Sequence, residues 1–142
     1  MTDRYDKYTK FEFDRPVERV LRITLNNPKT YNSLDAVGHN QLTSIWRDLD
    51  EDPDISAVIL TGKGKAFSSG GDFGMIEATM KEETARLQAW KEARDLVYNL
   101  INCNKPIVSA INGVAVGAGL VAALLADISI AGKAAKIVDG HT

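Results

Sequence analysis

Lys105-Pro-Ile-Val-Ser-Ala-Ile-Asn-Gly-Val-Ala-Val-Gly-Ala-Gly119 is the stretch that decides the fold. Pro106 to Ile111 is a compact apolar run, the pattern of a strand buried on both faces. Asn112-Gly113 is a turn by composition. Gly117-Ala-Gly119 then opens an apolar helix over Leu120 to Leu125. The same grammar occurs upstream. Ala57-Val-Ile-Leu-Thr61 is a second buried strand, and a glycine-rich loop follows it from Gly62 to Gly74. A long charged helix is expected next, from about Lys81 to Asn102, with Leu87, Trp90, Ala93, Val97, Leu100 and Ile101 on one face.

Outward from this centre, Phe11 to Asp14 reads as an edge strand and Val20 to Leu25 as a second strand. Asn26-Asn-Pro-Lys29 is a turn. Asp35 is placed to cap a helix running to about Leu49, whose apolar residues are Val37, Leu42, Ile45, Trp46 and Leu49. Beyond the central stretch, Ile128 to Ala131 and Ala134 to Val138 read as strands. Strands alternating with helices predict an α/β fold with buried parallel strands, in one domain over residues 1–142. Asp139-Gly-His-Thr142 reads as the start of a loop, so a fragment of a longer chain is expected.

The bulk composition narrows the function. The net charge of -2 comes without a basic cluster, which argues against a nucleic-acid partner. The single cysteine, Cys103, excludes an internal disulfide and fits a reducing compartment. Neither a signal peptide nor a membrane span is legible, so a cytoplasmic protein is expected. No His/Cys cluster has metal-ligand spacing.

The two glycine loops carry the chemistry. Lys65-Ala-Phe-Ser-Ser-Gly-Gly-Asp72 allows tight backbone geometry and close approach of a ligand at Gly70 and Gly71. The second loop leads into a helix, where backbone N–H groups lack intrahelical partners and lie at the positive end of the dipole. Two such loops side by side on neighbouring parallel strands would aim one N–H each at a single oxygen, forming an oxyanion hole. The bland alternative is that the glycines serve only turns and close packing. Gly113, Gly117 and Gly119 do not match the G-x-G-x-x-G dinucleotide fingerprint, and no phosphate loop is present.

Several motifs together resemble the crotonase superfamily, the enoyl-CoA hydratase/isomerase family. They are Asn27-Pro-Lys-Thr-Tyr-Asn-Ser-Leu34, Ala57-Val-Ile-Leu-Thr-Gly62, Lys65 to Asp72, Lys105 to Gly119, Ala126-Asp127 and Ile130-Ala131. The resemblance implies a fold of stacked β-β-α units forming a spiral, as in crotonase and Clp protease, with a C-terminal helical region beyond this chain. It implies an acyl-CoA substrate, no cofactor beyond the coenzyme A that the substrate carries, and a homotrimer or homohexamer. The oxyanion N–H groups would be those of Gly71 and Ala118. Coenzyme A would run along Lys29, Tyr31, Ala66, Ser68, Ser69, Gly70 and Asp72, with Gly117 and Val121 also lining the site.

The chain departs from the hydratase pattern at both glutamates. Three residues beyond Ala118 stands Val121, and twenty further on, counted without gaps, stands His141. A valine cannot transfer a proton, so hydration by the two-glutamate route is in question. His141 and Asp139 remain as acid/base candidates, or as ordinary loop residues. His39 is expected on a helix surface. Ser68 and Ser69 lack a nucleophile-elbow context, and Asp72 is expected to fix its loop by accepting backbone hydrogen bonds. Trp46 and Trp90 are expected in a core or subunit interface. The leading function is therefore an acyl-CoA lyase or isomerase that stabilises a thioester enolate or related oxyanion with two backbone amides. The alternatives are a non-catalytic CoA-binding or assembly protein, and a serine hydrolase of the Clp protease fold.

Overall fold

The computed structural model describes residues 4–140. Its strands are β1 (Phe11–Val17), β2 (Val20–Leu25), β3 (Ala57–Gly62), β4 (Ala66–Ser68), β5 (Ile107–Ile111), β6 (Val114–Val116), β7 (Ile128–Ala131) and β8 (Ile137–Val138). The helices are α1 (Ala36–Asp50), α2 (Phe73–Lys81), α3 (Glu83–Ile101) and α4 (Gly117–Leu124).

Two sheets form. One runs β1-β2-β3-β5-β7 and the other β4-β6-β8. Among the described residues only the β1–β2 pair is antiparallel, and its register slips between Asp14 and Val17. Pro16 falls in that slip, on an edge strand, where a residue without an N–H is tolerated. The remaining pairs are parallel. Successive strand pairs β3–β4, β5–β6 and β7–β8 each give one strand to each sheet, and helices follow the first two pairs. This is the expected spiral of β-β-α units.

The corner between sheets is built on glycine. A Cβ at Gly62 or at Gly113 would overlap the backbone of residues 65–67. Asn112 fastens the same corner. Its Nδ2 donates to the carbonyls of Gly62 at 2.8 Å, Gly64 at 3.0 Å and Ala66 at 3.2 Å. Its Oδ1 accepts from the Gly62 N–H at 3.1 Å. The core between the sheets and helices includes fully buried Ile23, Trp46, Leu60 and Phe67. Ser109 and Ser129 both donate to the Ala123 carbonyl, at 2.6 and 2.7 Å, tying α4 to β5 and β7.

The structure corrects four expectations. The segment 62–74 is not all loop: it contains β4 and the first residues of α2, which Asp72 caps. Val114 to Val116, read as part of the second glycine loop, is a strand. Of the face assigned to α3, Leu100 is buried as expected, but Leu87 at 55%, Trp90 at 70% and Ile101 at 56% are exposed, and the buried side chains beside Leu100 are Glu92 and Leu96. His39 is buried, not on the surface.

Candidate active site

Parallel pairing of β4, β6 and β8 brings three segments to one sheet edge. These are Ser69–Asp72 after β4, Gly117–Gly119 after β6, and Asp139–Gly140 after β8. The first two touch. A Cβ placed on Gly70 would lie 3.1 Å from the Val116 carbonyl oxygen, and one on Gly117 would lie 3.5 Å from the Gly70 Cα. Gly70 and Gly117 have φ of 86° and 56°, in the left-handed region that favours glycine. A Cβ on Gly140 would meet Val116 Cγ1 at 3.7 Å, so the third segment reaches the same place.

The first loop is held by the segment before α1. Ser69 N–H donates to the Tyr31 carbonyl at 2.9 Å, Leu34 N–H to that of Gly70 at 2.8 Å, and Asp72 N–H to that of Leu34 at 2.9 Å. Gly70 N–H donates to Ser68 Oγ at 3.2 Å. Along residues 69–72, only the Gly71 N–H has no acceptor among the described residues. The N–H of Ala118, in the first turn of α4, likewise has none among them. Both residues are partly exposed.

Asn32 explains the Asn27-to-Leu34 motif physically. It is 1% exposed, with φ of 57°. Its Nδ2 donates to the carbonyls of Lys63 and Ala66, each at 2.9 Å, and its Oδ1 accepts from Asn27 N–H at 2.9 Å. Asn32 and Asn112 thus grip the β3–β4 corner from two sides.

The remaining site residues of the sequence reading fall as follows. Lys29 and Tyr31 stand exposed on the rim. The side chain of Ala66 is buried in β4, and its carbonyl is taken by the two asparagines. Ser68 is fully buried, and its hydroxyl donates to the Asn32 carbonyl at 2.9 Å. A buried, committed hydroxyl is poorly placed as a nucleophile, and its part here is loop shape. Ser69 Oγ donates to the Thr30 carbonyl at 3.0 Å. Asp72 accepts from Met75 N–H at 2.7 Å and starts α2. Val121 is half-buried on α4. Asp139 follows β8, and His141 lies outside the described residues.

Sequence reading missed one titratable cluster. His39 Nδ1 lies 2.5 Å from Glu92 Oε2, and both side chains are buried. Asn40 Nδ2 and Gln88 Nε2 donate to Glu92 Oε1 at 2.9 and 2.7 Å. Burial pushes the Glu92 carboxyl up, but the hydrogen bonds from Gln88, His39 and Asn40 outweigh it and hold it below the ordinary glutamate value. A signal was present. His39 shares a helical face with Leu42, Thr43 and Trp46, and Glu92 with Leu96 and Leu100. Among the described residues, no group of three His, Cys, Asp or Glu side chains could hold a metal ion. No described helix is long and apolar enough to cross a membrane.

The enoyl-CoA hydratase/isomerase family model matches residues 16–141, and the chain belongs to that family. It is 37% identical over 119 residues to "Probable enoyl-CoA hydratase 1, peroxisomal" of Arabidopsis thaliana, covering 84% of this chain and 43% of that protein. It is 35% identical over 121 residues to the 1,2-epoxyphenylacetyl-CoA isomerase of Escherichia coli K12, covering 84% and 46%. An enoyl-CoA hydratase/isomerase crystal structure from Mycobacterium paratuberculosis superposes with a TM-score of 0.90 at 35% identity, covering 96% of this chain and 55% of that one. The chain spans about half the length of the curated relatives it matches.

Proposed function

We propose that this chain carries the oxyanion half of an acyl-CoA enzyme, with the N–H groups of Gly71 and Ala118 receiving the thioester oxygen. The observation that carries this reading is that the two N–H groups without an acceptor among the described residues each follow a glycine of the touching pair Gly70 and Gly117, at loops fixed by hydrogen bonds on every other donor from Ser69 to Asp72. Fixed donors stabilise charge as it develops because they need no reorganisation. Removing a proton α to the thioester would move an electron pair onto that oxygen, and the two N–H groups would hold the resulting enolate.

Coenzyme A would run past Lys29 and Tyr31 and along the Ser68–Asp72 loop. Val121 supplies no carboxylate beside Ala118, so the reaction favoured is one needing a single base or none, such as isomerisation or C–C cleavage. Asp139, at the same sheet edge, and His141 after it are the base candidates. A non-catalytic CoA-binding role is the second reading, and Val121 is the residue that favours it. The exposed apolar side chains of Leu87, Trp90 and Ile101 on α3 suit a subunit contact within a homotrimer or homohexamer.

The test is turnover of enoyl-, 3-oxoacyl- and 3-hydroxyacyl-CoA thioesters by the full-length protein, with Val121→Glu alongside. The expectation is weak crotonyl-CoA hydration in the wild type and a gain in the variant, because general acid–base groups contribute about 10²–10⁴-fold. Wild-type hydration at rates typical of efficient hydratases would refute the reading of Val121. Binding without turnover of any thioester would favour the second reading.

A further inference from the structure

Ser68 touches the chain neighbour of each proposed oxyanion donor. Gly70, just before Gly71, donates its N–H to Ser68 Oγ at 3.2 Å. Gly119, just after Ala118, faces the Ser68 side chain so closely that a Cβ there would lie 2.5 Å from the same oxygen. The Ser68 hydroxyl donates in turn to the Asn32 carbonyl at 2.9 Å. One fully buried side chain thus joins the segment before α1, the loop after β4, and α4.

The Asn32 end of this junction is braced, because the Asn32 side chain is bonded to Asn27, Lys63 and Ala66. The aim of the first donor then follows from peptide geometry. The Gly70–Gly71 peptide is trans, and a planar trans peptide points its C=O and its N–H in opposite directions. The Gly70 carbonyl accepts from Leu34 N–H at 2.8 Å, so the Gly71 N–H points away from Leu34. Between two glycines the backbone offers little steric resistance to turning that peptide over. Hydrogen bonds on Gly70 must hold it, from Leu34 at its carbonyl and to Ser68 at its N–H.

We infer that Ser68 is a positioning residue for the oxyanion pair. Its hydroxyl holds the Gly70 end of the peptide that carries the first donor, and its side chain sets the distance to α4, which carries the second. The inference rests on the oxyanion reading above. A side chain that only filled space there could be trimmed to alanine with both donors still aimed as before.

Infrared difference spectroscopy of butyryl-CoA, labelled isotopically at the thioester carbonyl and bound to the full-length protein, tests this. Butyryl-CoA has no double bond to hydrate, and its carbonyl stretch falls when donors hold the oxygen. A fall is expected in wild type. It should be smaller in Ser68→Ala and in Gly119→Ala, which presses the same contact from α4. Kd should stay within about threefold, because ground-state binding draws less on these donors than the transition state does. Thr43→Val removes another buried hydroxyl, on α1, and should lower Tm while keeping the wild-type fall. For any thioester that is turned over, Ser68→Ala should lower kcat with KM unchanged, by less than the about 10²–10³-fold cost of losing an oxyanion donor outright. Should Ser68→Ala fail to fold, Gly119→Ala decides by the same comparison. The full wild-type fall in either variant, an equal loss in Thr43→Val, or a raised KM with kcat unchanged overturns the inference and leaves the acyl-CoA reading intact. Butyryl-CoA that does not bind wild type, or binds with no fall in its stretch, overturns both.

Discussion

Replacing Gly119 by alanine should push apart the two loops that form the candidate site. Gly119 lies in α4 with its Cα facing Ser68, and both residues are buried. A Cβ there would lie 2.5 Å from Ser68 Oγ and closer still to Ser68 Cβ. Ser68 cannot swing away cheaply, because its hydroxyl bonds both Asn32 and Gly70. Overpacking of this kind costs about 1–3 kcal/mol. Alanine is the better helix former by about 1 kcal/mol, which offsets part of the loss. The net expectation is a destabilisation of up to about 2 kcal/mol, a fall in Tm of up to about 8 °C for a chain of this size. Thermal and urea unfolding of Gly119→Ala, Ser68→Gly and the double variant would measure it. Ser68→Gly loses two hydrogen bonds but also removes the Cβ and Oγ that clash, so the two changes should couple favourably by about 1–3 kcal/mol. A coupling within about 0.3 kcal/mol of zero would show that the loops do not meet at this contact.

Gly74→Ala makes a useful contrast: a Cβ there meets only Asp72 Oδ1, at 3.6 Å, so the urea midpoint should rise, by about 0.5–1 kcal/mol of stability. Asn32→Ala should cost about 2–4 kcal/mol by the same assay, since it leaves the Lys63 and Ala66 carbonyls and the Asn27 N–H without this partner. An Asn32→Gly variant, free of the strain that φ of 57° imposes on alanine, should recover part of that. Acid unfolding should carry a Glu92 component. Its folded pKa is lowered, so its contribution is full above the unfolded value of about 4.3 and is lost as pH falls through the folded one. The dependence of stability on pH below about 4.5 should flatten in Glu92→Gln, and an unchanged slope would contradict the assignment.

The parallel core was legible because β3 and β5 are continuous apolar runs bounded by glycine or asparagine, a pattern with few other readings. The short strands β4 and β6 were not. Three residues between glycines and serines carry no usable period, and they become strands only by pairing with each other. α2 was hidden because Glu82 alone separates it from α3, although Asp72 three residues before Met75 was a usable cap signal. The α3 face was misread because charged Glu92 sits where an apolar residue is normally expected. Its partners His39 and Asn40 are 53 and 52 residues away, and only the packing of α1 against α3 brings them together. The glycine loops were legible as a candidate site, but which N–H in the first lacks an acceptor depends on Tyr31, Leu34 and the Ser68 hydroxyl, contacts that sequence spacing does not disclose.

The proposed receptor, made of peptide N–H groups, has an unusual relation to its own codons. Every residue except proline presents the same donor, so no ordinary replacement at position 71 or 118 deletes the hydrogen bond itself. At Gly71 even a side chain finds room, meeting Met75 and Ile76 at 3.8 Å. Genetic drift at these two positions can reshape what surrounds the donors, while the donors persist as long as the two loops stay in register. The surrounding side chains, Val121 among them, are therefore free to be exchanged for others, and one backbone frame can pass from one acid–base chemistry to another without being rebuilt.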